Sequence, residues 1–300
     1  MHRTYELAMQ MLEAIPRAPA TESGYRLFWV YGNDVSAFDL PARRDDYAIV
    51  GRHTHCDVLL SRDPEISLRH LLARTVVLAD GTIALRFFDL HSAMPFFLED
   101  GMPRRSIVAS GPVMVRLGQY VLGGVPYGPA TPRNADAGGG GGPYRSPPQY
   151  TVSESRVMPA ASPGGERRSH ITILPALPAL DDFAWSAARP GNARVTLARA
   201  GQRASVELAD ADLEVGVLVG RSDKCVDRGL RAVMSESVSR AHLLLLREHE
   251  VVHAFDLCSM QGTYIDAMRV RRCRLPDTGA TLRLATTDPV SLTWHPRVLV

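Results

Sequence analysis

From Tyr25 onward the apolar residues fall in short runs separated by Gly, Pro, Asp and Ser. Runs of this length bounded by turn residues predict β-strands rather than helices. The first group is YRLFWVY (25–31), YAIVG (47–51), LLARTVVL (71–78), IALRFFDL (83–90), VMVRL (113–117) and YVLG (120–123). Asp80-Gly81, between two of these runs, predicts a tight hairpin. The second group is RVTLA (194–198), ASVEL (204–208), VGVLVG (215–220), HLLLLR (242–247), VVHAFDL (251–257), TLRLA (281–285) and VSLTW (290–294). Helical periodicity is confined to the start of the chain. There Leu7, Met11 and Leu12 share one face, and Pro16 and Pro19 stop the pattern. The expectation is a short helix within residues 1–20 that caps the first strand group.

Between the groups the composition changes. GGGGG (138–142), SPP (146–148) and MPAASPGG (158–165) offer little apolar surface to offset the entropy of ordering the chain. Two domains are therefore expected at 24–126 and 191–300, joined by a flexible Gly/Pro-rich linker over 127–190. Many short strands with almost no helix predict an all-β fold, with an antiparallel β-sandwich in each half. A chain of 300 residues accommodates two such domains, each large enough for its own core.

The two groups also share an ordered series of polar residues. Gly51-Arg52, Cys56, Ser67-Leu68-Arg69-His70 and Asp89-Leu90-His91-Ser92 are followed, in the same order and at similar spacing, by Gly220-Arg221, Cys225, Ser239-Arg240-Ala241-His242 and Asp256-Leu257-Cys258-Ser259. One Ser-x-x-His means little. A repeated series is most simply explained by a duplicated domain.

At these residues the chain resembles the forkhead-associated (FHA) domain family, whose pattern runs Gly-Arg, Ser-x-x-His, then Asn-Gly-Thr before an aromatic residue. The resemblance is strong over 193–295, where Gln261-Gly262-Thr263-Tyr264-Ile265 completes the series, and moderate over 25–125. It implies two twisted sheets whose loops at one end grip phosphothreonine. It further implies that Arg221, Ser239, Arg240 and Gln261 contact a phosphopeptide, with Gly220, His242, Gly262 and Thr263 as structural supports. A phosphothreonine carries about −1.5 to −2 charges and three acceptor oxygens. An arginine fork and a hydroxyl donor are the side chains such an anion needs.

The second half departs from the family pattern at two places. Gln261 replaces the asparagine, lengthening the amide by one methylene, and Met260 stands where a hydroxyl is common. The first half departs further. It keeps Arg52, Ser67 and His70, a second and weaker phosphate site, but reads Met94-Pro95-Phe96 in place of Asn-Gly-Thr. That half is expected to serve structure, or a phosphate-independent contact through Met94, Phe96 and Phe97.

The functional expectation is a phosphothreonine-dependent adaptor in serine/threonine kinase signalling, not an enzyme, whose partners are phosphothreonine proteins such as a kinase or its substrates. The alternative is a scaffold that uses the same folds without phosphate. A net charge of +2 gives no global field for nucleic acid or membrane. The basic cluster Arg269, Arg271, Arg272 and Arg274 reads as a charged strand edge. Ser239, His242 and Asp256 are the residue types of a hydrolase triad, but no Gly-x-Ser-x-Gly elbow accompanies them. Cys56, Cys225, Cys258 and Cys273 form no C-x-x-C pair, so no metal or cofactor is expected. The chain shows neither a secretory leader nor a membrane-length apolar run, so it is expected in the cytoplasm.

Overall fold

The structure is a computed structural model, and it describes residues 8–10, 22–43, 46–128, 149–156, 158–159, 168–175, 193–225, 228–248 and 250–296. Contacts divide the chain into two compact units, the first Met1–His53 with Val58–Pro175 and the second Thr54–Asp57 with Ala176–Val300.

The first unit contains β1 (Gly24–Tyr31), β2 (Asp34–Pro41), β3 (Tyr47–Gly51), β4 (Val58–Leu59), β5 (Leu71–Val77), β6 (Ile83–Asp89), β7 (Phe96–Phe97), β8 (Pro103–Arg104), β9 (Ser106–Ser110), β10 (Val113–Leu117), β11 (Tyr120–Tyr127), β12 (Gln149–Glu154) and β13 (Arg168–Ile173). They form a sheet ordered β2-β1-β11-β10-β7-β8 and a second ordered β12-β13-β9-β6-β5-β3-β4. Inward residues of both sheets, among them Leu27, Leu122, Val50, Ala73 and Phe87, share one core. Of the expected N-terminal helix, residues 8–10 are helical, and Ala8 is buried with Phe28, Val30 and Met114. Its predicted face residues, Leu7, Met11 and Leu12, lie outside the described residues.

The second unit contains β14 (Ala193–Arg199), β15 (Gln202–Leu208), β16 (Val217–Val219), β17 (Leu243–Glu248), β18 (Val251–Asp256), β19 (Thr263–Ile265), β20 (Met268–Val270), β21 (Arg272–Leu275), β22 (Ala280–Leu284) and β23 (Val290–Pro296). Two short helices, Asp210–Val215 and Arg228–Ala232, interrupt them. The sheets are ordered β15-β14-β23-β22-β19-β20 and β16-β17-β18-β21. β15 alternates exposed and half-buried positions, as a strand with one solvated face should. Val195, Leu197, Leu292 and Trp294 from one sheet meet Val219, Leu243 and Leu245 from the other. Each unit is thus an antiparallel β-sandwich, and the order of the second unit's sheets recurs within the first.

Two strands fall inside the segment expected to be linker. β13 pairs antiparallel with β9, and β12 runs parallel to β13. The physical reason is local. From His170 to Ile173 the strand alternates polar and apolar residues, so Ile171 reaches the core fully buried while His170 and Thr172 fall on the opposite face of the strand. The Tyr150 hydroxyl accepts a hydrogen bond from the Met114 amide at 2.9 Å. Residues 149–154 and 168–173 are therefore part of the first sandwich; Gly-rich 138–142 and the rest of 129–148 lie outside the described residues. Among the described residues, no helix is long and apolar enough to cross a membrane, and no group of three or more His, Cys, Asp or Glu could hold a metal ion.

Candidate functional site

The register of the smaller sheet of the second unit gathers the motif residues. Val219 pairs with Leu243, and Leu243 with Asp256. The end of β16, the start of β17 and the end of β18 therefore lie at one end of the sheet. The loops leaving those points carry Arg221, Ser239–His242 and Leu257–Gly262.

Arg221 is anchored in three ways. Its amide donates to the Ser239 carbonyl at 3.4 Å, and the next amide, of Ser222, donates to the Arg240 carbonyl at 3.0 Å. Its Nε donates to the Val238 carbonyl at 2.9 Å. The Nη1 and Nη2 groups are left facing outward on a side chain 38% exposed, with Nη1 3.3 Å from the Glu236 carboxylate. This approach requires a glycine at 220. A Cβ there would lie 2.2 Å from the Arg240 carbonyl oxygen. Close approach rather than an unusual dihedral decides this glycine, since Gly220 is not among the positive-φ residues.

Ser239 is 8% exposed, and its Oγ accepts the Met260 amide proton at 3.0 Å. That bond consumes a lone pair and leaves the hydroxyl proton to donate. His242 is fully buried. Its Nδ1 accepts from the Ser239 amide at 3.2 Å, so Nε2 carries the proton and donates to the Gly262 carbonyl at 3.1 Å. Both ring nitrogens thereby brace loops, and neither points at the Ser239 hydroxyl as a triad base would. Asp256 fixes the last loop. Its Oδ1 accepts the Ser259 amide at 2.9 Å, while Oδ2 accepts the Ser259 and Thr263 hydroxyls at 2.6 and 2.7 Å. Cys225 sits beneath the site with its thiol against the Arg240 carbonyl, and burial pushes that thiol up to about 12. It behaves as a small apolar filler rather than a nucleophile.

The family model for the FHA domain matches residues 217–285, the span from β16 through β22. Over that span the chain is similar to the FHA domain. No curated protein matches the chain. Solved structures include FHA-1 of Mycobacterium tuberculosis Rv1747, which is 23% identical over 36% of this chain and 100% of its own, with a TM-score of 0.28. The yeast Dun1 FHA domain, in complex with a doubly phosphorylated peptide derived from Rad53, is 16% identical over 39% of this chain and 83% of its own, with a TM-score of 0.30. Mycobacterium tuberculosis EmbR, in complex with a low-affinity phosphopeptide, is 18% identical over 40% of this chain and 28% of its own, with a TM-score of 0.26.

Within this matched span the remaining predicted residues divide. Arg240 is exposed beside Ser239. Gln261 instead braces a neighbouring loop. Its Oε1 accepts the Thr286 amide, the Thr286 hydroxyl and the Thr287 amide at 3.0, 3.0 and 2.9 Å. With the side-chain oxygen so occupied, only the NH2 group remains to offer a ligand. Gly262 has φ of 79°, a left-handed conformation that favours glycine, and a Cβ there would meet the Arg269 Nε at 2.6 Å. Arg269, read from sequence as a strand-edge cation, donates to the Ser259 carbonyl at 3.3 Å and lines this loop. The sequence reading also missed Glu236, which no spacing rule connects to Arg221.

The first sandwich repeats much of the same frame. Arg52 Nε donates to the Ile66 carbonyl at 3.1 Å, and the Ser67 amide donates to His70 Nδ1 at 3.1 Å. His70 Nε2 donates to the Met94 carbonyl at 2.9 Å. Asp89 takes the Ser92 amide and hydroxyl, as Asp256 takes those of Ser259. A Cβ on Gly51 would lie 2.5 Å from the Leu68 carbonyl oxygen. The loop tip differs. Phe96 is fully buried in the core, and Phe97 lies under the Arg116 guanidinium at 4.6 Å. Phe96 is therefore committed to the core, whereas Met94 and Phe97, the other two residues of the expected phosphate-independent contact, are half-buried.

Proposed function

We propose that this protein is a phosphothreonine-dependent adaptor in serine/threonine kinase signalling in the cytoplasm, built from two FHA-type modules, one at 24–126 extended by the strands at 149–154 and 168–173 and the other at 191–300. In this reading the second module docks the phosphate through Arg221 and Ser239, with Arg240 and the Gln261 amide nitrogen toward the peptide. One observation carries it. The outward Nη groups of Arg221 and the unspent Ser239 hydroxyl proton stand on loops tied together through the Ser239 carbonyl and the Met260 amide. Rigid loops on a sandwich hold these donors without ligand, so little ordering is needed on binding. Two or three charge-assisted bonds, each contributing about 1.5–3 kcal/mol, support micromolar affinity once ordering of the peptide is deducted.

The phosphate-free scaffold reading is favoured for the first module alone, where the tip is packed inward through Phe96. Its Arg52 and Ser67 form at most a second, weaker site. The test is isothermal titration of the full-length protein with matched phosphorylated and unphosphorylated threonine peptides. Arg221→Ala is expected to weaken phosphopeptide binding by at least about thirtyfold, or roughly 2 kcal/mol. Arg52→Ala is expected to change it by less than about twofold. Equal binding by wild type and Arg221→Ala overturns the reading.

A further inference from the structure

We infer that Glu236 makes the second module select phosphothreonine segments carrying a lysine or arginine close to the phosphothreonine. The inference rests on the reading of Arg221 as the phosphate ligand and adds a class of partner to it.

The guanidinium is already engaged in the ligand-free protein. Glu236 Oε2 lies 3.3 Å from Arg221 Nη1, and Arg221 Nε is held by the Val238 carbonyl. An incoming phosphate must therefore use the two Nη groups, one of which faces a carboxylate. Glu236 cannot withdraw far, because its loop is fastened on both sides. The Ser235 hydroxyl donates to the Asp288 carbonyl at 2.7 Å, and the Val238 amide donates to the Ser235 carbonyl at 3.1 Å. Val238 is fully buried and Ser235 is 1% exposed. Arg199, paired with Asp288, reaches the Met234 carbonyl at 3.5 Å. The Glu236 side chain is itself 93% exposed, so it can rotate but remains within a few ångströms of any phosphate seated on Arg221.

Phosphate entry thus separates one ion pair and brings two anionic groups together. A ligand cation restores the balance. The phosphate takes Arg221, the ligand's ammonium or guanidinium takes Glu236, and no anion is left facing another. A ligand carboxylate at the same place adds a third negative group. Because the site is solvent-exposed and salt-screened, the discrimination is modest, roughly three- to tenfold for one charge a few ångströms away. Arg240 is the countervailing cation on the neighbouring loop, so the preference belongs to those ligand positions that fall beside Glu236. In the first module the third residue before Ser67 is Pro64, so the frame there carries no such carboxylate at this position.

The experiment titrates the full-length protein with four sets of peptides built on one sequence at physiological and low salt. They are phosphothreonine with alanine neighbours, with a lysine scanned through the flanks, with a glutamate scanned likewise, and an unphosphorylated control. The wild type is expected to favour the best lysine peptide over its glutamate counterpart by about tenfold. In Glu236→Gln the ratio is expected to fall below about threefold while the alanine peptide binds roughly three- to tenfold tighter. In Glu236→Lys the preference is expected to invert. An unchanged lysine-to-glutamate ratio in both variants, with phosphate dependence intact, overturns the role of Glu236 and leaves the phosphate reading standing. Absence of phosphate-dependent binding by the wild type overturns both.

Discussion

Gly220→Ala offers a sharp test of how the frame and the site are coupled. The new methyl carbon would stand 2.2 Å from the Arg240 carbonyl oxygen, 2.8 Å from its carbon and 2.9 Å from the Ser239 oxygen. Even weak carbon–oxygen contacts settle near about 3.3 Å, so the two chain segments must part by about 1 Å. The opposing atoms are backbone, pinned by the amides of Arg221 and Ser222, so no side chain can swing away to relieve the contact. Overpacking costs about 1–3 kcal/mol, and a backbone neighbour places this case at the upper end. For a domain of this size, about 3 kcal/mol lowers the melting temperature by roughly 12–20 °C. Parting the segments also displaces Arg221 from Ser239, so phosphopeptide affinity should fall with the stability. Differential scanning calorimetry of the full-length protein reads the first effect and peptide titration the second. Gly51→Ala, whose methyl would meet the Leu68 oxygen at 2.5 Å, should lower the other transition. Gly201→Ala, at φ 81° with open space around it, should cost about 1 kcal/mol. A Gly220→Ala protein that melts within about 3 °C of wild type and binds peptide normally would refute the coupling.

Three further outcomes are expected. Ile171→Ala should destabilise the first sandwich by about 2–4 kcal/mol, because a fully buried side chain leaves the core; a chain melting unchanged by calorimetry contradicts the place given to β13. Burial pushes the Asp89 carboxyl up to about 6 from 3.8, so between those values the folded chain keeps a proton that the unfolded chain has lost. Stability of the first sandwich from this group therefore falls as pH rises from about 4 to 6, by on the order of 3 kcal/mol. Asp89→Asn should lack that slope, and a pH-independent difference in melting temperature between variant and wild type argues against it. Met260→Ser should strengthen phosphopeptide binding about fivefold. The 55% exposed side chain stands on an amide already fixed to Ser239, where a hydroxyl adds a donor worth about 1 kcal/mol; unchanged titration would place that side chain away from the phosphate.

The strand groups and the paired series of Gly-Arg, Ser-x-x-His and Asp-Leu-x-Ser were legible because local rules govern them. Alternation reports one buried face, and the polar series recurs in register. Where side chains act across loops, sequence carried less. Gln261 was expected to reach a ligand, yet its direction is set by the amides of Thr286 and Thr287, 25 and 26 residues away in the chain. Glu236 acquires meaning only when β16 and β17 bring residues 221 and 238 together. β12 and β13 were hidden by their neighbours. The surrounding Gly, Pro and Ser dominated the composition, although Ile171 and Ile173 kept a strand's alternation.

The histidine braces end on main-chain oxygens, at Met94 in one sandwich and at Gly262 in the other. Every amino acid supplies that acceptor. The loop tip can consequently exchange its side chains, Met-Pro-Phe for Gln-Gly-Thr, while the clasp beneath it stays shut. The chemistry displayed at the tip can thereby differ between the two sandwiches without unpicking the scaffold beneath it.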